Sequence, residues 1–136
     1  MNISNRCKTA TSSSKIVCEE KASKITFVNA SHQEVIKILV DGCAITEGAR
    51  CDYLVLNGQG KEHFVELKGS DVSHAVEQLE ASINILSANP RSEKLCFIVS
   101  SRCPLLTTKI QDLKARFKKK YNATLIIKSR IYEHNF

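Results

Sequence analysis

The sequence predicts an α/β fold: a mixed β-sheet with an antiparallel hairpin part and two flanking helices. Three observations lead there. Short apolar runs rich in Val, Ile and Phe, bounded by turn signals, fill 24–28, 35–40, 51–56 and 63–68. Two stretches with apolar residues at helical spacing follow, at 72–86 and about 106–121. Strand-like runs at 95–99 and 124–128 come after each helix, and this strand-helix-strand order implies a sheet with helices packed on it.

Residues 1–23 are rich in Ser, Thr, Lys and Asn and read as a flexible arm, with a short ordered piece at Ile16-Val17-Cys18. Residues 24–136 then form a single domain. Lys24–Val28 is a strand, and Val35–Val40 is its expected antiparallel partner, ended by Asp41-Gly42; helix is the competing assignment for 32–40. Gly69-Ser70-Asp71 breaks the strand before it and offers an N-cap to the helix from Val72 to about Leu86. That helix places Val72, Ala75, Val76, Leu79, Ile83 and Leu86 on one face, and Asn89-Pro90-Arg91 ends it. Leu106, Ile110, Leu113, Phe117 and Tyr121 share a face of the second helix.

A length of 136 residues suits one domain with a modest core. The balance is basic, with 20 Lys+Arg against 14 Asp+Glu, which fits a polyanionic partner. Low aromatic content and the absence of Trp argue against base stacking as the main binding mode. The six cysteines form no Cys-x-x-Cys pair, so a zinc site is poorly supported. With no apolar leader and no membrane-length run, the expectation is a cytoplasmic protein whose cysteines are reduced and mostly buried. No Walker or dinucleotide loop and no Gly-x-Ser-x-Gly elbow is present.

The chemistry concentrates in Cys51-Asp52-Tyr53-Leu54-Val55-Leu56 and His63-Phe64-Val65-Glu66-Leu67-Lys68, joined by Asn57-Gly58-Gln59-Gly60-Lys61. A five-residue hairpin loop at 57–61 pairs Leu56 with Glu62, Leu54 with Phe64 and Asp52 with Glu66. Directly opposed side chains on one face have Cβ atoms about 4.5–5.5 Å apart, close enough for two carboxylates to share a divalent cation. A loop one residue shorter would put them on opposite faces. Lys68, on the face of Glu66, would orient a water or stabilise charge on a phosphate. The same three residues would otherwise make an ion-pair cluster at a strand end.

Gln78 lies on the following helix, on the side of Asp71, His74 and Ser82, where its amide would reach a metal-bound water, a phosphate or solvent. The second helix carries Lys109, Lys114, Arg116, Lys118, Lys119 and Lys120, followed by Lys128 and Arg130, the densest positive stretch in the chain. Lys109, Arg116, Lys119 and Lys120, with Arg102 in the loop before them, are the candidate nucleic-acid contacts; a solvated face is the alternative.

An aspartate, a hairpin, Glu-x-Lys on the next strand and a helix bearing Gln resemble the PD-(D/E)xK nuclease superfamily over about residues 48–100. The resemblance implies a restriction endonuclease-like core and a Mg²⁺- or Mn²⁺-dependent nuclease acting on nucleic acid, DNA rather than RNA. It implies Asp52 and Glu66 as metal ligands, completed by the backbone carbonyl of Leu67, with Lys68 activating the attacking water and Gln78 matching the helix glutamine of the RecB-like branch. Cys51 stands where many members have proline. The family's acid on an N-terminal helix has no evident counterpart, and Glu20, Glu34 and Glu47 are its candidates. Without that acid the alternative is a weak or inactive module that binds nucleic acid or a partner protein in a repair or defence complex. A homodimer or a place in a larger complex is expected on size.

Overall fold

The structure is a computed structural model describing residues 3–68, 71–101 and 106–136, with Lys68 described by its backbone. Among these residues the elements run β1 (Lys8–Thr11), β2 (Lys15–Glu20), β3 (Ser23–Val28), β4 (Val35–Leu39), β5 (Tyr53–Leu56), β6 (Glu62–Lys68), α1 (Val72–Leu86), β7 (Lys94–Ser100), α2 (Thr107–Tyr121), β8 (Ala123–Ser129) and β9 (Ile131–Asn135). A six-stranded sheet has the order β1-β4-β5-β6-β7-β8, and a three-stranded sheet the order β2-β3-β9. The large sheet is antiparallel from β1 to β6 and parallel from β6 to β8. The α/β class, the mixed sheet and both helices thus stand as expected.

Both helices, however, lie on one face of the sheet. Alternation along β6 shows why. Phe64 joins Leu54, Cys96 and Ile98 in a core closed by Val76, Leu79 and Ile83 of α1 and Phe117 and Tyr121 of α2. Val65 and Leu67 point the other way, with Val55, Phe97 and Val99, and meet Ile16 and Cys18 of β2 and Ile25 and Phe27 of β3. The second sheet therefore covers the face that a flanking helix would otherwise cover.

Three expectations change accordingly. Residues 8–11 and 15–20, read as part of a flexible arm, are strands; the alternation in β2 buries Ile16 and Cys18 and leaves Lys15, Val17 and Glu19 exposed. β3 and β4 are not partners: β3 pairs with β2 and β9, and β4 with β1 and β5. Between them Asn29 holds a turn, its side chain bonding the Gln33 amide and the Ser13 and Gln33 carbonyls, and the chain crosses from one sheet to the other. The cysteines are not all reduced: Cys7 and Cys43 form a disulfide that ties the segment before β1 to the loop after β4. Closing a loop of this length restricts the unfolded chain by roughly 3–4 kcal/mol in the chain-entropy account.

α1 keeps the boundaries and the apolar face that its periodicity predicts, and the Asp71 carboxylate accepts the His74 amide as its N-cap. α2 is more superficial. Phe117 and Tyr121 are buried, whereas Leu106, just before the helix, is 73 % exposed. Asn122 ends α2 in the left-handed conformation, with φ of 55°.

Lys94 is fully buried at the start of β7. Its ammonium donates to the carbonyls of Asn89 (3.3 Å), Pro90 (2.9 Å), Tyr121 (3.1 Å) and Ser92. It thereby bolts the 89–92 loop to the last turn of α2. Lys94→Met should strand these acceptors and lower unfolding stability by about 3 kcal/mol, read as a shift in urea midpoint.

The second core carries a buried histidine. His63 packs against Phe27, Phe97, His134 and Phe136. Its Nδ1 faces the carbonyls of Val55 (3.1 Å) and Lys61 (3.0 Å), both acceptors, so that nitrogen carries the proton. Burial pulls its pKa from 6.5 to about 4, helped by His134 and Lys61 and opposed by the two carbonyls. The unfolded chain therefore binds the extra proton first. Stability should be complete above pH 6.5 and fall by up to about 3 kcal/mol as pH drops through 4. Thermal melting across pH 7 to 4 should show this loss, reduced in His63→Gln.

Candidate carboxylate site at the end of the hairpin

The β5–β6 turn builds the site. Asn57 caps it, its side chain accepting the amides of Gln59 and Lys61, and Gly60 takes φ of 78°, which favours glycine. The register is the expected one, with Leu56 opposite Glu62 and Leu54 opposite Phe64.

The pairing ends at Tyr53–Val65, so the expected Asp52–Glu66 pair is not formed. The Asp52 amide donates to the Val65 carbonyl (3.0 Å), placing Asp52 and Tyr53 together opposite one residue. Cys51 and Leu54 both enter the helix-side core, which residues three apart in a regular strand cannot do. The strand thus carries a bulge at Asp52, and bulges re-aim side chains. The Asp52 carboxylate turns onto the Leu67 amide, with Oδ2 at 2.7 Å.

Asp52 is 3 % exposed and Glu66 is fully buried. Asp52 lines a cavity of about 340 Å³ with Glu20, Lys21, Ala22, Ser23, Asp41, Leu67 and Ser101. Glu66 is not part of its wall. Of the three candidates for the upstream acid, Glu20 reaches this cavity, from the end of β2 rather than from a helix; Glu34 and Glu47 are exposed elsewhere. Asp41, read in the sequence only as a strand stop, is a further acid at the wall. Lys68 continues β6 opposite Ser100 of β7. Its side chain and Arg102 lie outside the described residues.

Gln78 has a definite task. Its Oε1 accepts the Arg50 amide (2.8 Å), and one turn later the Ser82 Oγ accepts the Cys51 amide (2.7 Å). α1 therefore grips two consecutive amides just before Asp52, using residues four apart on one face. Arg50 in turn bonds Asp41 through Nε (2.7 Å) and Gly48 through Nη1 (2.9 Å). The Asp52 carbonyl accepts the amides of Val40 (2.9 Å) and Asp41 (3.3 Å). Asp41, Arg50, His74 and Gln78 border a second cavity of about 390 Å³. Sequence reasoning missed Arg50, Asp41 and Ser82 as parts of this frame. The i, i+4 spacing of Gln78 and Ser82 was the available signal.

Thiol chemistry is poorly served here. Burial pushes the Cys51 and Cys18 thiols up to about 12, so both stay neutral. Among the described residues, no three His, Cys, Asp or Glu side chains lie close enough together to hold a metal ion.

The basic residues sit elsewhere. Arg116, Lys119 and Lys120 line a separate concavity with Arg91, whereas Lys109 is exposed near the start of α2. No helix among the described residues is long and apolar enough to cross a membrane. Comparison with protein-family models, with curated proteins and with solved structures returned no match.

Ser82→Ala should leave the buried Cys51 amide without its acceptor, lowering stability by about 2 kcal/mol in urea titration. Gln78→Ala, whose partner amide is less buried, should cost about 1 kcal/mol.

Proposed function

We propose that the chain is a metal-dependent nuclease of PD-(D/E)xK type, cutting phosphodiester bonds in DNA. The observation that carries this is two buried carboxylates, Asp52 and Glu66, on adjoining segments of one hairpin beside an acid-lined cavity. Buried carboxylates are expensive for a fold unless partners or a task offset the desolvation. The carboxylates at the cavity wall, Glu20, Asp41 and Asp52, offer oxygen donors of the kind that suits Mg²⁺ or Mn²⁺. In this proposal Asp52, Glu66 and the Leu67 carbonyl hold the cation, which when bound would polarise the scissile phosphate. The Leu67 amide fixes one Asp52 oxygen and so aims the other. Lys68 follows Glu66 by two residues and would meet charge developing on the phosphate. Gln78 acts as a positioning residue, holding the segment that delivers Asp52.

A second proposal, a module that binds nucleic acid without turnover, is favoured by the lack of a three-ligand cluster among the described residues. The Cys7–Cys43 bond suits a disulfide-permissive setting better than the reducing cytoplasm expected from the sequence.

Labelled single-stranded, duplex and branched DNAs incubated with Mn²⁺ or EDTA separate the two. The nuclease should cleave at least one with Mn²⁺ and not with EDTA. Asp52→Asn and Glu66→Gln should each lose about 100-fold or more while melting as cooperative folded proteins. Binding without cleavage in all conditions would favour the module.

A further inference from the structure

We propose that Arg91, Arg116, Lys119 and Lys120 form a phosphate-binding site for the nucleic-acid backbone, separate from the carboxylate cavity. The four side chains surround one concave space of about 490 Å³. They come from two elements, Arg91 from the loop between α1 and β7 and the others from the last turns of α2.

The charge there is unbalanced. One carboxylate, Glu80 of α1, serves the group: Arg116 approaches it at 2.6 Å and Lys120 at 3.7 Å. Tyr121 donates its hydroxyl to the same carboxylate at 3.1 Å. Arg91 and Lys119 have no carboxylate within ion-pair distance among the described residues. Glu93, next in the loop, is engaged by Lys61 at 3.0 Å. The negative end of α2 attracts Lys118, Lys119 and Lys120, but it does not account for Arg91 converging on them.

The two backbone segments that carry the cradle are tied to each other. The buried Lys94 ammonium joins the Asn89, Pro90 and Ser92 carbonyls to that of Tyr121, and the Asn122 side chain donates through Nδ2 to the Arg91 carbonyl at 3.3 Å. Four exposed cations whose backbones the fold ties together around one concavity suit a phosphate group.

The site lies at the Lys94 end of β7, whereas Ser101, just beyond the other end, lines the carboxylate cavity. At about 3.3 Å per residue the ends of β7 are roughly 20 Å apart. The basic site therefore does not rest on the nuclease proposal.

The test is fluorescence anisotropy of labelled duplex DNA across a salt series in EDTA, so that binding is read whether or not the chain cleaves. Arg91→Gln/Lys119→Gln is set beside the charge-matched Lys8→Gln/Lys15→Gln, whose lysines are exposed on β1 and β2. The first variant should bind at least about 10-fold more weakly, with the log–log salt slope reduced by about 2, and the second should stay within about 2-fold of wild type. Equal binding by wild type and the Arg91/Lys119 variant, equal losses in both variants, or no binding by wild type at low salt would each overturn the site.

Discussion

The hydrogen bond from the Leu67 amide to the Asp52 carboxylate is the constraint on which the candidate site depends. β6 runs on to Lys68, but its pairing with β5 stops at Val65. The Leu67 amide therefore needs an acceptor that the neighbouring backbone does not supply, and Asp52 provides it. The carboxylate is thereby turned to the end of the hairpin and kept almost wholly buried. Much of the surrounding structure secures the backbone that carries it. Val40 and Asp41 bond its carbonyl, α1 grips the two residues before it, and the Cys7–Cys43 bond tethers the loop that leads to it.

Legibility in the sequence followed the range of the forces involved. α1 was readable to both ends because its apolar face repeats every turn and Asp71 caps it locally. The hairpin register was readable because Asn57 and Gly60 set the loop length. β3 and β4 were recognised as strands but given to each other, since choice of partner is decided by which faces bury together. β1 and β9 are short and largely exposed, so their composition resembles loops. β2 did carry a period-two pattern, obscured by the polar residues before it.

The burial of the two candidate carboxylates was legible in the sequence, and their geometry was not. Asp52 and Glu66 are both buried, as charged residues in apolar strands suggested. The bulge that re-aims Asp52 arises from contacts with Leu67 and Ser82, 15 and 31 positions from the residues they bind, which no local pattern encodes. Gln78, expected to meet a metal-bound water, a phosphate or solvent, instead accepts a backbone amide. The basic stretch likewise read as one face, whereas the fold separates Lys109 from the lysines at the far end of α2 and recruits Arg91 from another loop. Acidic and basic concavities thus sit at opposite ends of one central strand.

Whether Asp52 and Glu66 hold a cation together is the question on which the proposed activity turns. The most direct measurement is anomalous diffraction from crystals of the wild-type chain soaked in Mn²⁺. The proposal predicts one strong peak at about 2.0–2.3 Å from carboxylate oxygens of both residues, absent in Glu66→Gln crystals. A map with no peak at these carboxylates under saturating Mn²⁺, in crystals that keep the fold, would contradict it.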